Sequence, residues 1–175
     1  MPKDMQSKDT QLKDTQKDHI DSLREHLIEL LKGGNAHAKF EDAIKGLPPK
    51  LRGVTPENFP HSPWMLLEHL RIAQWDILEF SRSAKHKSPK WPEGYWPKGP
   101  QPSSEAAWDE SVSKFSADLK AMQELVSNPK TDLFAPIKGG DGQTVLREAL
   151  LVADHNAYHV AQIVDVRRLM GAWKD

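Results

Sequence analysis

Apolar residues recur at helical spacing in four long stretches of this chain, and each stretch is bounded by residues that start or stop a helix. In the first, Ile20, Leu23, Leu27, Leu30 and Leu31 follow Asp18, a candidate N-cap, and end at Gly33 and Gly34. In the second, Ser62 sets a capping hydroxyl before Pro63, and Met65, Leu66, His69, Ile72, Ala73, Asp76 and Phe80 share one stripe. Ala107, Trp108, Val112, Phe115, Leu119, Met122 and Leu125 make the third, which stops near Asn128 and Pro129. The fourth begins after Thr144 and carries Val145, Ala149, Val152, Ala153, Val160, Ile163 and Val164 on one broad arc. The spacing predicts helices over residues 18–32, 63–84, 104–127 and 144–172. A shorter piece, capped by Asn35 and carrying Phe40, Ala43, Ile44 and Leu47, precedes Pro48 and Pro49. Four amphipathic stripes must bury themselves against one another, so the expected fold is all-α, an antiparallel four-helix bundle with one extra short helix.

The segments between the stripes are of different kinds. Residues 1–17 are polar, with an imperfect repeat in KDTQLKDTQK, and read as a flexible tail or an extension of the first helix; residues 18–175 form a single domain. Residues 85–103 hold five prolines among Trp91, Tyr95 and Trp96. A connection of that length is usually functional or disordered, and three large aromatics argue against disorder. It docks on the bundle's own surface, caps a site, or forms a contact between two copies. Residues 129–143 carry Leu133, Phe134 and Ile137 and the turn signals Gly139-Gly140 and Asp141-Gly142, compatible with a short hairpin.

Composition narrows the functional classes. The 24 basic and 25 acidic side chains leave a net charge of −1, which supplies no field to hold nucleic acid or an anionic membrane. With no cysteine there is neither a disulfide scaffold nor a protein thiol for catalysis. No apolar run resembles a signal sequence or a membrane span, so the expectation is a soluble, cytoplasmic protein.

Candidate chemistry lies with histidine. His155 and His159 stand one turn apart on the fourth helix, and imidazoles at i and i+4 point the same way, from where both can reach one divalent ion. The same spacing also fits two buried, hydrogen-bonded histidines. His69 falls on the inward stripe of the second long helix, where a core histidine bonded to a carbonyl is the alternative to a ligand. Asp76 stands two turns beyond it, about 10 Å along the axis. That is too far to share an ion, so Asp76 either reaches a bound substrate or faces solvent at the bundle end. His61 and His37 are the candidates for a fourth nitrogen; His19, His26 and His86 read as surface or packing residues.

The stretch DHNAYHVAQIVDVRRLMGAW resembles the C-terminal helix of the DinB/YfiT-like family of metal-dependent enzymes, and HSPWMLLEHLRIAQWDILEFSRS resembles that family's second helix. The resemblance covers most of residues 20–173 and is specific at these two helices. It implies a four-helix bundle with a divalent ion held by His69, His155 and His159, and imidazole ligands suit zinc, nickel or iron. It further implies a homodimer and an enzyme that activates water, or a low-molecular-weight thiol as co-substrate, for hydrolysis, transfer or isomerisation of a small molecule. The sequence lacks a His-Glu-x-x-His arrangement, which disfavours peptide hydrolysis. The rival reading is a non-catalytic bundle that binds a ligand or partner.

Overall fold

The computed structural model describes residues 3–174, with side chains from residue 14 onward. It consists of α1 (Lys3–Lys32), α2 (Phe40–Ile44), α3 (Pro63–Arg82), α4 (Glu105–Ser127) and α5 (Val145–Leu169), with single 3-10 turns at Pro49–Leu51 and Glu93–Tyr95. Among the described residues the one strand-like feature is an antiparallel bridge between Pro136 and Thr144, which closes the loop expected as a hairpin. The caps expected at Ser62 and Thr144 each accept a hydrogen bond from a first-turn backbone N–H, and Ser104 caps α4 in the same way. Helix α1 stops where Gly33 takes φ +65°, a conformation a β-carbon would disfavour.

Three expectations are corrected. Asp18 is not an N-cap, because α1 runs unbroken from Lys3; residues 3–17 contain neither glycine nor proline, and extending an existing helix costs far less than nucleating one. Asn35 does not cap α2, whose N-cap is Lys39. Leu30, assigned to the core stripe, is 49 % exposed, while Arg24, earlier on the same helix, is buried. The Arg24 guanidinium donates to the carbonyl oxygens of Val126, in the last turn of α4, and of Thr131 in the connection that follows.

The helical bundle is as expected, but its directions do not alternate throughout. Along α3 and α4 the pairings ascend together: Trp64 lies against Trp108, Ser111 donates to Glu68, and Gln74 donates to the Phe115 carbonyl at 2.7 Å. These neighbours are therefore parallel. Helices α1 and α4 oppose each other: Arg24 reaches Val126, whereas Leu31, further along α1, lines one cleft with Phe115 and Leu119, earlier on α4. So do α3 and α5, since Leu66, Leu67 and Leu70 share a core cluster with residues 160–166 whereas Leu78 shares one with Val145, Ala149 and Val152. A parallel pair needs a return path as long as the helix, about 30 Å for twenty residues. Residues 83–104 supply it, travelling back along α3: His86 meets Asp76, Trp96 meets His69 and then His61, and the Pro100 carbonyl accepts from Ser62. The long loop is thus a strap down one side of α3, and its path crosses the histidines.

Candidate metal centre

Helix α5 presents His155 and His159 from successive turns, and α3 presents His69 across from them. One nitrogen from each of the three rings lies within 4.8 Å of the other two. The closest approach is His155 Nε2 to His69 Nε2 at 3.1 Å, and the ring centroids are 4.5–5.0 Å apart. His69 and His159 are buried, and His155 is partly so. The three histidines singled out from sequence therefore come together, close enough to hold a metal ion.

Their surroundings set both orientation and charge. His69 donates its Nδ1–H to the Tyr95 carbonyl at 2.9 Å, which leaves the lone pair on Nε2, facing the other rings. His159 Nδ1 is fixed at 2.7 Å from Gln162 Oε1. His155 Nδ1 is buried without a hydrogen-bond partner, as is Oδ1 of the adjacent Asn156. Burial lowers the pKa of all three rings. His155 falls to about 3, through burial and then the neighbouring His159 and His69, opposed by Asn156. His159 falls to about 4, through burial and then His69, opposed by Gln162. His69 is lowered by burial, partly offset by its bond to the Tyr95 carbonyl. At neutral pH these rings are uncharged imidazoles, the form that donates a lone pair to a metal.

The strap forms one wall. Trp96 stacks on His69 with ring centroids 4.0 Å apart and planes 3° from parallel, and His61 stacks on the far face of Trp96 at 4.3 Å. His61 is therefore a packing residue one layer behind, and neither it nor His37 joins the cluster of three. Asp76 does not face solvent: it is 7 % exposed, and its carboxylate accepts from the Tyr95 hydroxyl and meets His86 Nε2, each at 2.6 Å. Below the histidines a buried amide pair crosses the bundle, Asn156 donating to Gln74 at 2.8 Å and Gln74 to the Phe115 carbonyl. Sequence reasoning missed Gln162 as part of this site and left Tyr95 and Trp96 open, with a cap over a site as one of three alternatives for their loop. Gln162, at i+3 from His159, carried a readable signal; the Tyr95 backbone carbonyl carried none.

A helical bundle holding three convergent neutral imidazoles defines a class, that of bundles with a candidate divalent-cation site. The sequence model of the DinB superfamily matches residues 34–163, well over half of the chain, and the protein belongs to that superfamily. No curated protein sequence and no solved structure matches the chain at a significant level. Among the described residues no helix is long and apolar enough to cross a membrane.

Proposed function

We propose that this protein is a metalloenzyme in which His69, His155 and His159 hold one divalent ion, zinc, nickel or iron, and act on a small molecule. The observation that carries the reading is the convergence of three uncharged imidazoles, two of them oriented through Nδ1 by the Tyr95 carbonyl and Gln162. The donor set fits such an ion: all three donors are imidazole, and three protein ligands leave room for an exchangeable one. An ion bound there would lower the pKa of water or of a thiol entering that position.

The chain's own groups supply orientation and shielding. The Tyr95 carbonyl keeps the His69 lone pair on Nε2, Trp96 and His61 cover the outer face of that ring, and Gln162 sets His159. His155 completes the set when its proton resides on Nδ1, beside the unpartnered Oδ1 of Asn156. Among the described residues no carboxylate joins the three nitrogens, and Asp76 is engaged by Tyr95 and His86. A low-molecular-weight thiol, with a pKa of about 8.5, ionises far more readily than bulk water, and we take it as the co-substrate. The reaction class is then transfer or isomerisation rather than hydrolysis.

Metal analysis of protein purified without a polyhistidine tag tests the proposal. About one equivalent of ion per chain, lost on His155→Ala, is the expected result; equal metal content in wild type and variant would sink it.

A second reading, a non-catalytic ligand-binding bundle, is favoured by a cleft of about 370 Å³ between α1, α2, α4 and α5. It is lined by Leu31, Phe40, Phe115, Leu119, Ala153 and Val160 and by none of the three histidines. Ligand binding that survives alanine at all three histidines would support it. Homodimerisation is also proposed. With Tyr95 and Trp96 packed inward, its apolar surface is better sought at Leu30 and Leu150, 49 % and 44 % exposed on α1 and α5, than on the strap.

A further inference from the structure

The carbonyl that receives the His69 Nδ1–H lies in a connection rather than in a long helix, so its position depends on what pins residue 95. Helix α3 itself provides the pin. Asp76 stands on the same face of α3 as His69, two turns further on, a distance of about 10 Å along the axis. Tyr95 spans that distance: its side-chain hydroxyl donates to Asp76 Oδ2 at 2.6 Å, while its backbone carbonyl accepts from His69 at 2.9 Å. The other carboxylate oxygen, Oδ1, meets His86 Nε2 at 2.6 Å, and His86 packs edge-on against Trp75 with centroids 5.2 Å apart. One carboxylate thus holds the strap twice, at His86 where it leaves α3 and at Tyr95 where it passes the histidines. Asp76 is buried, His86 and Tyr95 are partly so, and the arrangement uses both oxygens. Burial and the bond to Asp76 raise the Tyr95 hydroxyl pKa to about 12, so the phenol remains a donor.

We infer that Asp76, acting through Tyr95, is a positioning residue for His69: it sets the strap so that the Tyr95 carbonyl turns the His69 ring with Nε2 toward His155 and His159. The inference rests on the metal-centre reading for its purpose, though not for its geometry. Groups that orient a metal-binding imidazole commonly change metal affinity about 10–100-fold when lost. Tyr95→Phe removes one oxygen and keeps the ring and the carbonyl; Asp76→Ala removes the anchor; Asp76→Asn keeps one oxygen to accept from Tyr95.

Three measurements on the full chain decide the matter. In chelator-treated protein, NMR should show a slowly exchanging His69 Nδ1–H resonance, identified by its absence in His69→Gln, and that resonance should be lost in Tyr95→Phe and Asp76→Ala. In zinc titrations against a competing chelator, both variants should bind about 10–100-fold more weakly than wild type, with Asp76→Asn in between. Cobalt substituted into the same variants should show an altered visible spectrum. A purely structural role would lower the melting temperature while leaving the resonance and the zinc affinity of the folded protein in place, and that outcome overturns the inference. If wild-type protein binds zinc no more tightly than the His155→Ala, His159→Ala double variant, the metal-centre reading fails. The NMR resonance then decides the Asp76, Tyr95 and His69 relay by itself, its persistence in Tyr95→Phe rejecting it.

Discussion

Helix α5 and the strap of residues 83–104 border the same three-histidine cluster by opposite means. Helix α5 places His155 and His159 through local geometry alone, since any uninterrupted helix brings i and i+4 to one side. The strap places Tyr95 and Trp96 only because α3 and α4 run parallel, which forces a long return along α3, and because Asp76, His69 and Ser62 lie there to receive it. One contribution is periodic and survives loss of its neighbours; the other is aperiodic and is held by a few specific bonds. Substitutions in α5 should therefore remove ligands without unfolding the protein, whereas substitutions in the strap should disturb ligand orientation and stability together.

The largest effect is expected on the helical side. His155→Ala with His159→Ala should weaken zinc binding by at least ~100-fold, because one imidazole cannot hold the ion. Helical circular dichroism should be unchanged, since alanine is the strongest helix former. Loss of helix content in that variant would break the contrast, showing that α5 depends on the site.

Trp96→Ala is the matching change in the strap. It removes the ring between His61 and His69 and should cost roughly 2–3 kcal/mol in denaturant unfolding, toward the low end for a large aromatic because Trp96 is only partly buried. Zinc affinity should fall about tenfold through the freed His69 ring. An undiminished affinity would mean that the wall plays no part in holding the ligand.

A smaller effect, and a sharper test of which part of the strap matters, is expected from Trp91→Ser. Trp91 is 68 % exposed and makes an edge contact with Tyr95 at 5.3 Å. The change should move stability by no more than about 0.5 kcal/mol and leave zinc binding as it was. It should also leave the mass in light scattering unaltered, because the proposed dimer surface lies at Leu30 and Leu150. A dimer that dissociates on Trp91→Ser would return the interface to the strap, and a monomeric wild type at micromolar concentration would reject the dimer.

The same division separates what was legible beforehand from what was not. Every residue of the arc expected on α5, from Val145 to Val164, is buried, and the caps at Ser62 and Thr144 are in place. His69 was legible in part: its place on an inward stripe could be read, but whether it met a carbonyl or the other histidines could not, and it does both. Asp76 was misplaced because its partners, Tyr95 and His86, belong to a segment without periodicity. Arg24 was overlooked because the carbonyls that justify burying a guanidinium lie about a hundred residues away.

Sequence alone determined the helices, their apolar faces and the one-turn histidine pair, since capping, helical periodicity and i, i+4 spacing act over a few residues and need no knowledge of the rest of the chain. The tertiary structure decided the parallel course of α3 and α4, the path of the strap past His69, and the Asp76 anchor that holds it. Each of these depends on hydrogen bonds and ring contacts between segments whose relative placement is settled only when the bundle closes.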